Sequence, residues 1–503
     1  MHADIGLILE GTYPYVTGGV SSWVHQIIRG FPQYRFALAF IGSAREDYGP
    51  IKYQLPQNVV HLAEHYIHGP AAKPPVRPHP GDADAYAMVA RLHEHLREPR
   101  GSGAVIGEAF RALGSEGRLT LESFLHSRPS WDFITEQYRK FSRDPSFIDY
   151  FWTVRTMHRP VWMLAAAAER FPAVGMLHVV STGYAGLLAA MLRSRTGRPL
   201  LLTEHGIYTK ERKIDLFHSE WIRDHRDPFG ADPAETGYLR ELWIRFFESL
   251  GRICYDACDR IVALYEANRL RQIDDGARPE RTRVIPNGID VQRLASLRAK
   301  RAPGAPPPVL CLLGRVVPIK DVKTFIRAIH GAARRMPEIE GWIAGPEDED
   351  PAYARECRLL AESIGVQDRV KFLGYQKIDQ LLPRIGLLVL SSISEGLPLV
   401  LLEGFAAGVP AIATDVGACR ELICGAPGAD AALGAAGRIV GIADPQALSA
   451  AALELLGSPS AWTAAQAAGI ARVERYYSQE RLFAEYGELY ATLSAPGAAA
   501  PVG

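Results

Sequence analysis

Val309-Leu310-Cys311-Leu312-Leu313-Gly314-Arg315-Val316-Val317-Pro318-Ile319-Lys320-Asp321 passes from five apolar residues into a glycine, two cations and an acid, just ahead of a helical stretch. That order predicts a buried strand, a tight turn and a helix start, the unit from which parallel α/β sheets are built. Downstream, Trp342–Ala344, Val370–Leu373, Leu387–Leu390 and Ala411–Ala413 repeat the short apolar run, with helical segments filling the gaps. Strands alternating with helices form right-handed crossovers and a doubly wound sheet, predicted here over 309–477.

Upstream the same logic recurs less regularly. Apolar strands are predicted at Ile5–Leu9, Phe36–Ile41, Leu177–Val180, Leu200–Thr203, Ile261–Leu264 and Val284–Ile285, giving a second Rossmann-like domain over 1–300. The Pro-rich stretch Ala71–Pro80 and the helical pattern after it mark an insertion over about 75–150 that carries no strand signal. Arg301–Pro308, rich in Pro and Ala around Gly304, is expected to be an extended hinge between the domains. Over 478–493, Leu482, Phe483, Tyr486, Leu489, Tyr490 and Leu493 share one helical face and are expected to pack back on the first domain, ahead of a frayed tail over 494–503.

A length of 503 residues exceeds what one hydrophobic core sustains, and 48% hydrophobic with 22% charged residues is the composition of a globular enzyme. Lys plus Arg and Asp plus Glu number 56 each, so no chain-wide positive field collects nucleic acid, and any phosphate site is local. None of the six cysteines forms a C-x-x-C pair, and all are read as reduced thiols. The opening run Ile5–Leu9 is too short for a signal peptide, and the apolar stretch 385–413 carries Glu395 and Glu403 with several Gly and Pro, which excludes a spanning helix. The expected location is cytoplasmic.

Arg315 and Lys320 follow a strand at the carboxyl edge of the predicted sheet, where open α/β folds bind ligands. Two cations five positions apart suit the oxygens of a diphosphate, and a leaving diphosphate gains charge that such a pair stabilises; alone, they would also fit a solvated surface pair. Ser394-Glu395-Gly396-Leu397-Pro398-Leu399-Val400-Leu401-Leu402-Glu403 follows the next strand and sets two carboxylates eight residues apart, on one side of a continuous helix if Pro398 lies near its start. Capping or buried ion pairs are the alternative for these acids. Gly18-Gly19 lies between a strand and a helix and permits close backbone approach, or is a plain tight turn. His205, in Thr203-Glu204-His205-Gly206, also ends a strand, where a structural histidine is the alternative.

Gly18-Gly19, Glu204-His205-Gly206, Ile285-Pro286-Asn287-Gly288-Ile289-Asp290, Gly314-Arg315 with Lys320, and the Glu395/Glu403 pair together resemble, in order, the motifs of glycosyltransferase family 4, the retaining GT-B enzymes. Leu9-Glu10-Gly11-Thr12-Tyr13-Pro14 and the stretch Thr203–Arg212 look most like the Pel-type exopolysaccharide members of that family. The resemblance implies two facing Rossmann-like domains with the active site in the cleft between them. It implies a nucleotide diphosphate sugar, with uridine favoured, as donor and a carbohydrate acceptor, here a growing polysaccharide. Arg315 and Lys320 then serve the diphosphate, Glu403 the ribose, Glu395 the donor sugar hydroxyls, and Gly18, Gly19, Asn287, Gly396 and Leu397 complete the donor site. His205 becomes catalytic with Arg315, Lys320 and Glu395, and retention follows from the family; because no carboxylate in the first-domain motifs is an evident nucleophile for a double displacement, same-face attack through an ion-pair-like transition state is favoured.

No cofactor and no metal are expected. Asp82-Ala83-Asp84 and Asp348-Glu349-Asp350 spell D-x-D, but neither directly follows an apolar strand. Docking to an inner-membrane polysaccharide synthesis complex, placing the protein peripherally at that membrane, is the further implication. A UDP-sugar 2-epimerase-like isomerase and a non-catalytic scaffold of an export complex are the competing readings. The glutamate pair opposes the first, and the intact cations and acids oppose the second.

Overall fold

The computed structural model describes residues 2–68, 78–97, 103–113, 117–142, 146–219, 222, 237–302 and 304–495. Two compact units make up the chain: 1–284 with 486–503, and 285–485. The Pro-rich segment over 71–77, Pro303 and the tail beyond 495 lie outside the described residues.

In the first unit, β1 (His2–Glu10), β2 (Phe36–Gly42), β3 (Val59–Tyr66), β4 (Ala173–Val179), β5 (Leu200–Glu204), β6 (Arg260–Ala263) and β7 (Thr282–Val284) form one sheet. Its order is β3-β2-β1-β4-β5-β6-β7 and every pairing is parallel. The order reverses between β1 and β4, and a crevice opens at the carboxyl ends on either side of such a reversal. The sequence pattern misses β3. It is an edge strand with no fully buried position, and its histidines and Glu64 interrupt the apolar run.

The second unit holds β8 (Val309–Leu313), β9 (Glu340–Ala344), β10 (Val370–Gly374), β11 (Leu387–Leu390), β12 (Ala411–Thr414) and β13 (Gly437–Val440). This sheet is also all parallel, in the order β10-β9-β8-β11-β12-β13, with the reversal between β8 and β11. Its core is built from strand residues buried on both faces and from helix Val322–Ala333, whose Phe325, Ile326 and Ile329 are fully enclosed. The missed strand here, β13, is again at an edge.

Two expectations about organisation change. The segment 301–308 is no free hinge, because it belongs to the second unit: the Arg301 guanidinium donates to the carbonyls of Leu382 (3.0 Å) and Ile385 (2.9 Å). The division falls instead before Ile285, because the strand pairing of the first unit ends at Val284 and the following segment bonds elsewhere. There the Ile289 amide donates to the Tyr477 carbonyl and its carbonyl accepts from Gln479, both at 2.9 Å. Helix Phe147–Arg170, which follows the expected insertion, keeps Tyr150, Val154, Met157 and Leu164 in the core of the first unit.

Helix Gln479–Ser494 carries the chain from the second unit into the first. The Tyr486 hydroxyl hydrogen-bonds Thr203 Oγ1 (2.8 Å), and Tyr490 hydrogen-bonds His178 Nδ1 (2.9 Å). Among the described residues no helix is long and apolar enough to cross a membrane. All six cysteines are free thiols.

Candidate active site

A cavity of about 530 Å³ opens at the carboxyl ends of β8, β9 and β10, lined by Gly314, Arg315, Gly345, Pro346, Tyr375 to Asp379, Val400 and Glu403 among others. Such a volume holds a nucleotide-sized ligand. The backbone is drawn tight around it. Gly314 N–H donates to Ala344 O (2.9 Å) and Gly345 N–H to Gly374 O (2.8 Å), and a β-carbon on Gly345 would lie 1.9 Å from Gly314 O, so only glycine fits.

Glu403 enters this cavity from helix Leu399–Ala406. Desolvation pushes its carboxyl up to about 7; Arg293 opposes the shift and Asp379 adds to it. Arg293 is itself held by Asp379 at 2.5 Å. A mostly enclosed carboxylate facing a cavity is poised to accept hydrogen bonds from a ligand's hydroxyls, which would restore its charged form.

Arg315 lines the same cavity and forks onto Glu349, its Nη1 lying 2.5 and 2.6 Å from the two carboxylate oxygens. Lys320 ends the short turn Pro318–Lys320, and its Nζ lies 2.5 Å from Glu395 Oε1. This pair sits at the β8/β11 reversal, where the two loops are laced together. Ser391 Oγ donates to the carbonyls of Lys320 (2.9 Å) and Asp321 (3.0 Å), Ile393 N–H donates to Ile319 O (2.8 Å), and Ser392 Oγ donates to Glu395 (2.6 Å).

One expectation fails here: Glu395 and Glu403 do not share a helix. The helix starts at Leu399, because Pro398 takes the N-cap position at ψ 106° and the residue before a proline avoids the helical region. Glu395 therefore lies in the preceding loop. That loop is seated on Gly417, whose φ of +53° and closeness to Glu395 O (2.3 Å from a β-carbon placed there) exclude a side chain. Gly396 O accepts from Ala418 N–H (2.9 Å), and Leu397 is buried; neither lines the cavity.

Asn287 also lies outside the cavity lining, buried with its Oδ1 unpartnered among the described residues, in the segment that packs against the start of helix Gln479–Ser494. Gly18, Gly19 and His205 belong to the first unit. A β-carbon on Gly18 or Gly19 would meet nothing within 4 Å, so packing does not demand glycine there and the missing side chains leave open space. His205 stands edge-on to the Trp23 indole at 4.7 Å, and desolvation pulls its pKa down to about 3, so the ring is neutral at ordinary pH. Among the described residues its Nε2 has no hydrogen-bond partner. The neighbouring Glu204 is a buried hub that accepts from Tyr255 (2.7 Å), Gln272 (3.0 Å), Thr182 (3.2 Å) and the Tyr208 amide (3.2 Å), while burial pushes its carboxyl up to about 7.

The motif reading overlooked Tyr375, Lys377, Asp379 and Arg293. The first three follow β10, a strand legible in the sequence, so the carboxyl-end rule applied there would have found them. Arg293 carries no such signal. Of the D-x-D acids, Asp350 caps helix Pro351–Ser363 through Tyr353 N–H (3.0 Å), and Asp82 accepts two hydrogen bonds from Arg118 at 2.6 and 2.8 Å. Among the described residues no group of three or more His, Cys, Asp or Glu side chains is placed to hold a metal ion.

Residues 3–280 match the family model described as "Domain of unknown function (DUF3492)", and residues 307–458 match "Glycosyl transferases group 1". The chain belongs to the first of these families, which spans more than half of it, and with the second match it is a glycosyltransferase of the GT-B kind. D-inositol 3-phosphate glycosyltransferase 2 of Catenulispora acidiphila is 29% identical over 350 residues, covering 59% of this chain and 75% of that protein. Among solved structures, sucrose-phosphate synthase of Thermosynechococcus elongatus superposes with a TM-score of 0.59 at 16% identity, covering 97% of this chain and 99% of that one. HepE of Anabaena, in complex with UDP, superposes with a TM-score of 0.57 at 14% identity, with 97% and 99% covered. These two likenesses establish the GT-B fold.

Proposed function

We propose that the protein transfers a hexosyl group from a UDP-sugar to a growing polysaccharide, with retention at the anomeric carbon, and serves exopolysaccharide synthesis of the Pel type. The observation that carries the donor assignment is Glu403, a largely enclosed carboxylate facing the cavity that Arg315 also lines. In this reading Glu403 accepts from the two ribose hydroxyls, and Arg315 and Lys320 receive the diphosphate. UDP in the HepE crystals supports uridine as the base.

Chemistry then follows from charge. As the glycosidic bond to the β-phosphate oxygen breaks, negative charge grows on the diphosphate, and cations already held in place stabilise it without reorganising. Glu349 and Glu395 hold the two cations in advance, each at 2.5 Å. Arrival of the diphosphate makes each cation shared between its carboxylate and a phosphate oxygen. Glu395 beside Lys320 is placed for the donor sugar hydroxyls. The acceptor hydroxyl attacks from the face the diphosphate leaves, passing its proton to the departing oxygen. Arg315, Lys320, Glu395 and a neutral His205 are the catalytic set in this proposal, and no metal takes part.

Calorimetric titration of the protein with UDP, ADP and GDP, with and without EDTA, tests the reading. Selective, EDTA-resistant UDP binding is expected, followed by turnover of a UDP-sugar. Binding of none of the three would overturn the donor site and favour a scaffold.

A further inference from the structure

Glu204 is buried, and the transfer chemistry gives it no part. Its carboxylate meets neutral donors. Oε1 accepts from Thr182 Oγ1 and from the Tyr208 amide, both at 3.2 Å, and Oε2 accepts from the Tyr255 hydroxyl (2.7 Å) and from Gln272 Nε2 (3.0 Å). These partners come from separate segments: the loop after β4, the first residue of helix Tyr208–His218, helix Tyr238–Ala257 and helix Glu266–Asp274. Among the described residues no Lys, Arg or His side chain pairs with the acid, and Tyr255 and Gln272 are as enclosed as Glu204 itself. A buried acid without a cation is a poor way to stabilise a fold, because neutral donors return only part of the desolvation cost.

What these bonds achieve is local. The one to the Tyr208 amide reaches over His205, Gly206 and Ile207 and closes that turn on itself. On the strand side, Thr203 Oγ1 is held by His178 Nε2 (2.9 Å) and by the Tyr486 hydroxyl (2.8 Å). His205 thus follows directly on two pinned residues, while its ring is packed edge-on to Trp23 and its Nε2 bonds to nothing among the described residues. Such a ring takes its place from the backbone that carries it.

The same donors tolerate a neutral amide in place of the carboxylate. Gln272 Oε1 has no partner among the described residues, so turning that amide over presents an acceptor where Nε2 now donates, and the Tyr255 hydroxyl can rotate to accept. Thr182 and the Tyr208 amide would still meet an oxygen. A glutamine at 204 therefore keeps the turn closed, and an alanine does not.

We propose that Glu204 is a positioning residue for His205: its hydrogen bonds, rather than its charge, close the turn over 205–207 and set where the imidazole stands. The inference rests on the reading that His205 takes part in sugar transfer, but the place of the ring is measurable without turnover.

The test has two arms, both on the full chain. In the first, the histidine rings are isotopically labelled for NMR and the His205 resonances are identified by their loss in His205→Ala. Glu204→Ala should move the His205 ring-proton resonances, which sense the Trp23 ring current, and Glu204→Gln should leave them in place. The second arm follows UDP release from UDP-glucose, UDP-galactose and their N-acetylated forms. Glu204→Ala should lower kcat by about tenfold or more while UDP affinity stays within about twofold, and Glu204→Gln should restore kcat to within about threefold of the parent. Added to His205→Ala, Glu204→Ala should cost no more than about a further twofold, because the group it positions is already gone. If Glu204→Ala does not fold, Tyr255→Phe, which keeps the ring and removes the 2.7 Å bond, replaces it in both arms, with smaller changes in the same directions. Unmoved His205 resonances, equal losses in Glu204→Gln and Glu204→Ala, or a Glu204→Ala loss that multiplies in full onto that of His205→Ala would overturn the proposal. Normal turnover by His205→Ala, or no UDP release from any of these sugars by the unmutated protein, would instead overturn the transfer reading, and the resonances alone would then decide whether Glu204 sets the place of the ring.

Discussion

Replacing Glu403 by glutamine should do three linked things, because the same enclosure that shapes the site also penalises its charge. Burial lifts the carboxyl from 4.5 to about 7 in the unliganded protein. If ribose hydroxyls bind the ionised form, the apparent Kd for UDP carries the factor 1 + 10^(pKa − pH), about 11 at pH 6, about 2 at pH 7 and close to 1 at pH 8. Affinity therefore rises with pH and levels off above the raised pKa. Glu403→Gln should weaken UDP binding at pH 8 by about 1–3 kcal/mol, the cost of losing a charged acceptor, and should remove this pH dependence. A phosphate group's second ionisation, near a pKa of about 6, adds a trend of the same sign to both proteins, so the quantity to plot is the ratio of the two affinities. The third effect concerns stability. A carboxyl whose pKa is higher folded than unfolded favours the neutral state, so its penalty is absent below 4.5, grows as pH rises toward 7 and is complete above that. The variant should be more stable than the parent at pH 8 by up to about 3 kcal/mol, a gain mostly gone by pH 5. Calorimetry across pH 6 to 8 and urea melts at pH 5 and 8 measure all three; an affinity ratio that stays flat with pH would refute the ribose assignment.

Lys320→Ala or Arg315→Ala should lower turnover of the UDP-sugar by about a hundredfold or more, since each removes a cation from the leaving diphosphate; near-normal single-turnover rates would remove that role. Turnover in excess EDTA should equal turnover without it, and restoration of a lost rate by added Mg²⁺ or Mn²⁺ would contradict metal-free transfer. Tyr490→Ala should destabilise the first unit by about 3–5 kcal/mol, because it empties a fully buried ring position and strips His178 Nδ1 of its partner; a melt within about 1 kcal/mol of the parent would mean helix Gln479–Ser494 adds little to that unit.

The fold is legible wherever burial on both faces leaves a strand no choice but an unbroken apolar run. Val309–Leu313 and the buried part of β1 show this plainly, and their spacing with helices announces parallel crossovers. β3 and β13 escape the same reading because each lies at a sheet edge, where mixed residues suffice. At the candidate site, Arg315 and Lys320 stand out as cations after a strand. Nothing in the sequence reveals that each is already matched to a carboxylate 34 or 75 positions away.

By itself, then, the sequence determined the strand–helix alternation, the two doubly wound sheets and the loops that carry charge after them, because these depend on local patterning and on the period of each element. Tertiary structure decided what no local pattern encodes. It split Glu395 from Glu403 by starting the helix after Pro398, brought Tyr375 and Asp379 to the wall of the cavity, and tied Arg301 into the second unit. It also gave Glu403 its raised pKa. Each of these rests on contacts between residues distant in sequence, and desolvation and pairing are properties of the folded neighbourhood rather than of the residue.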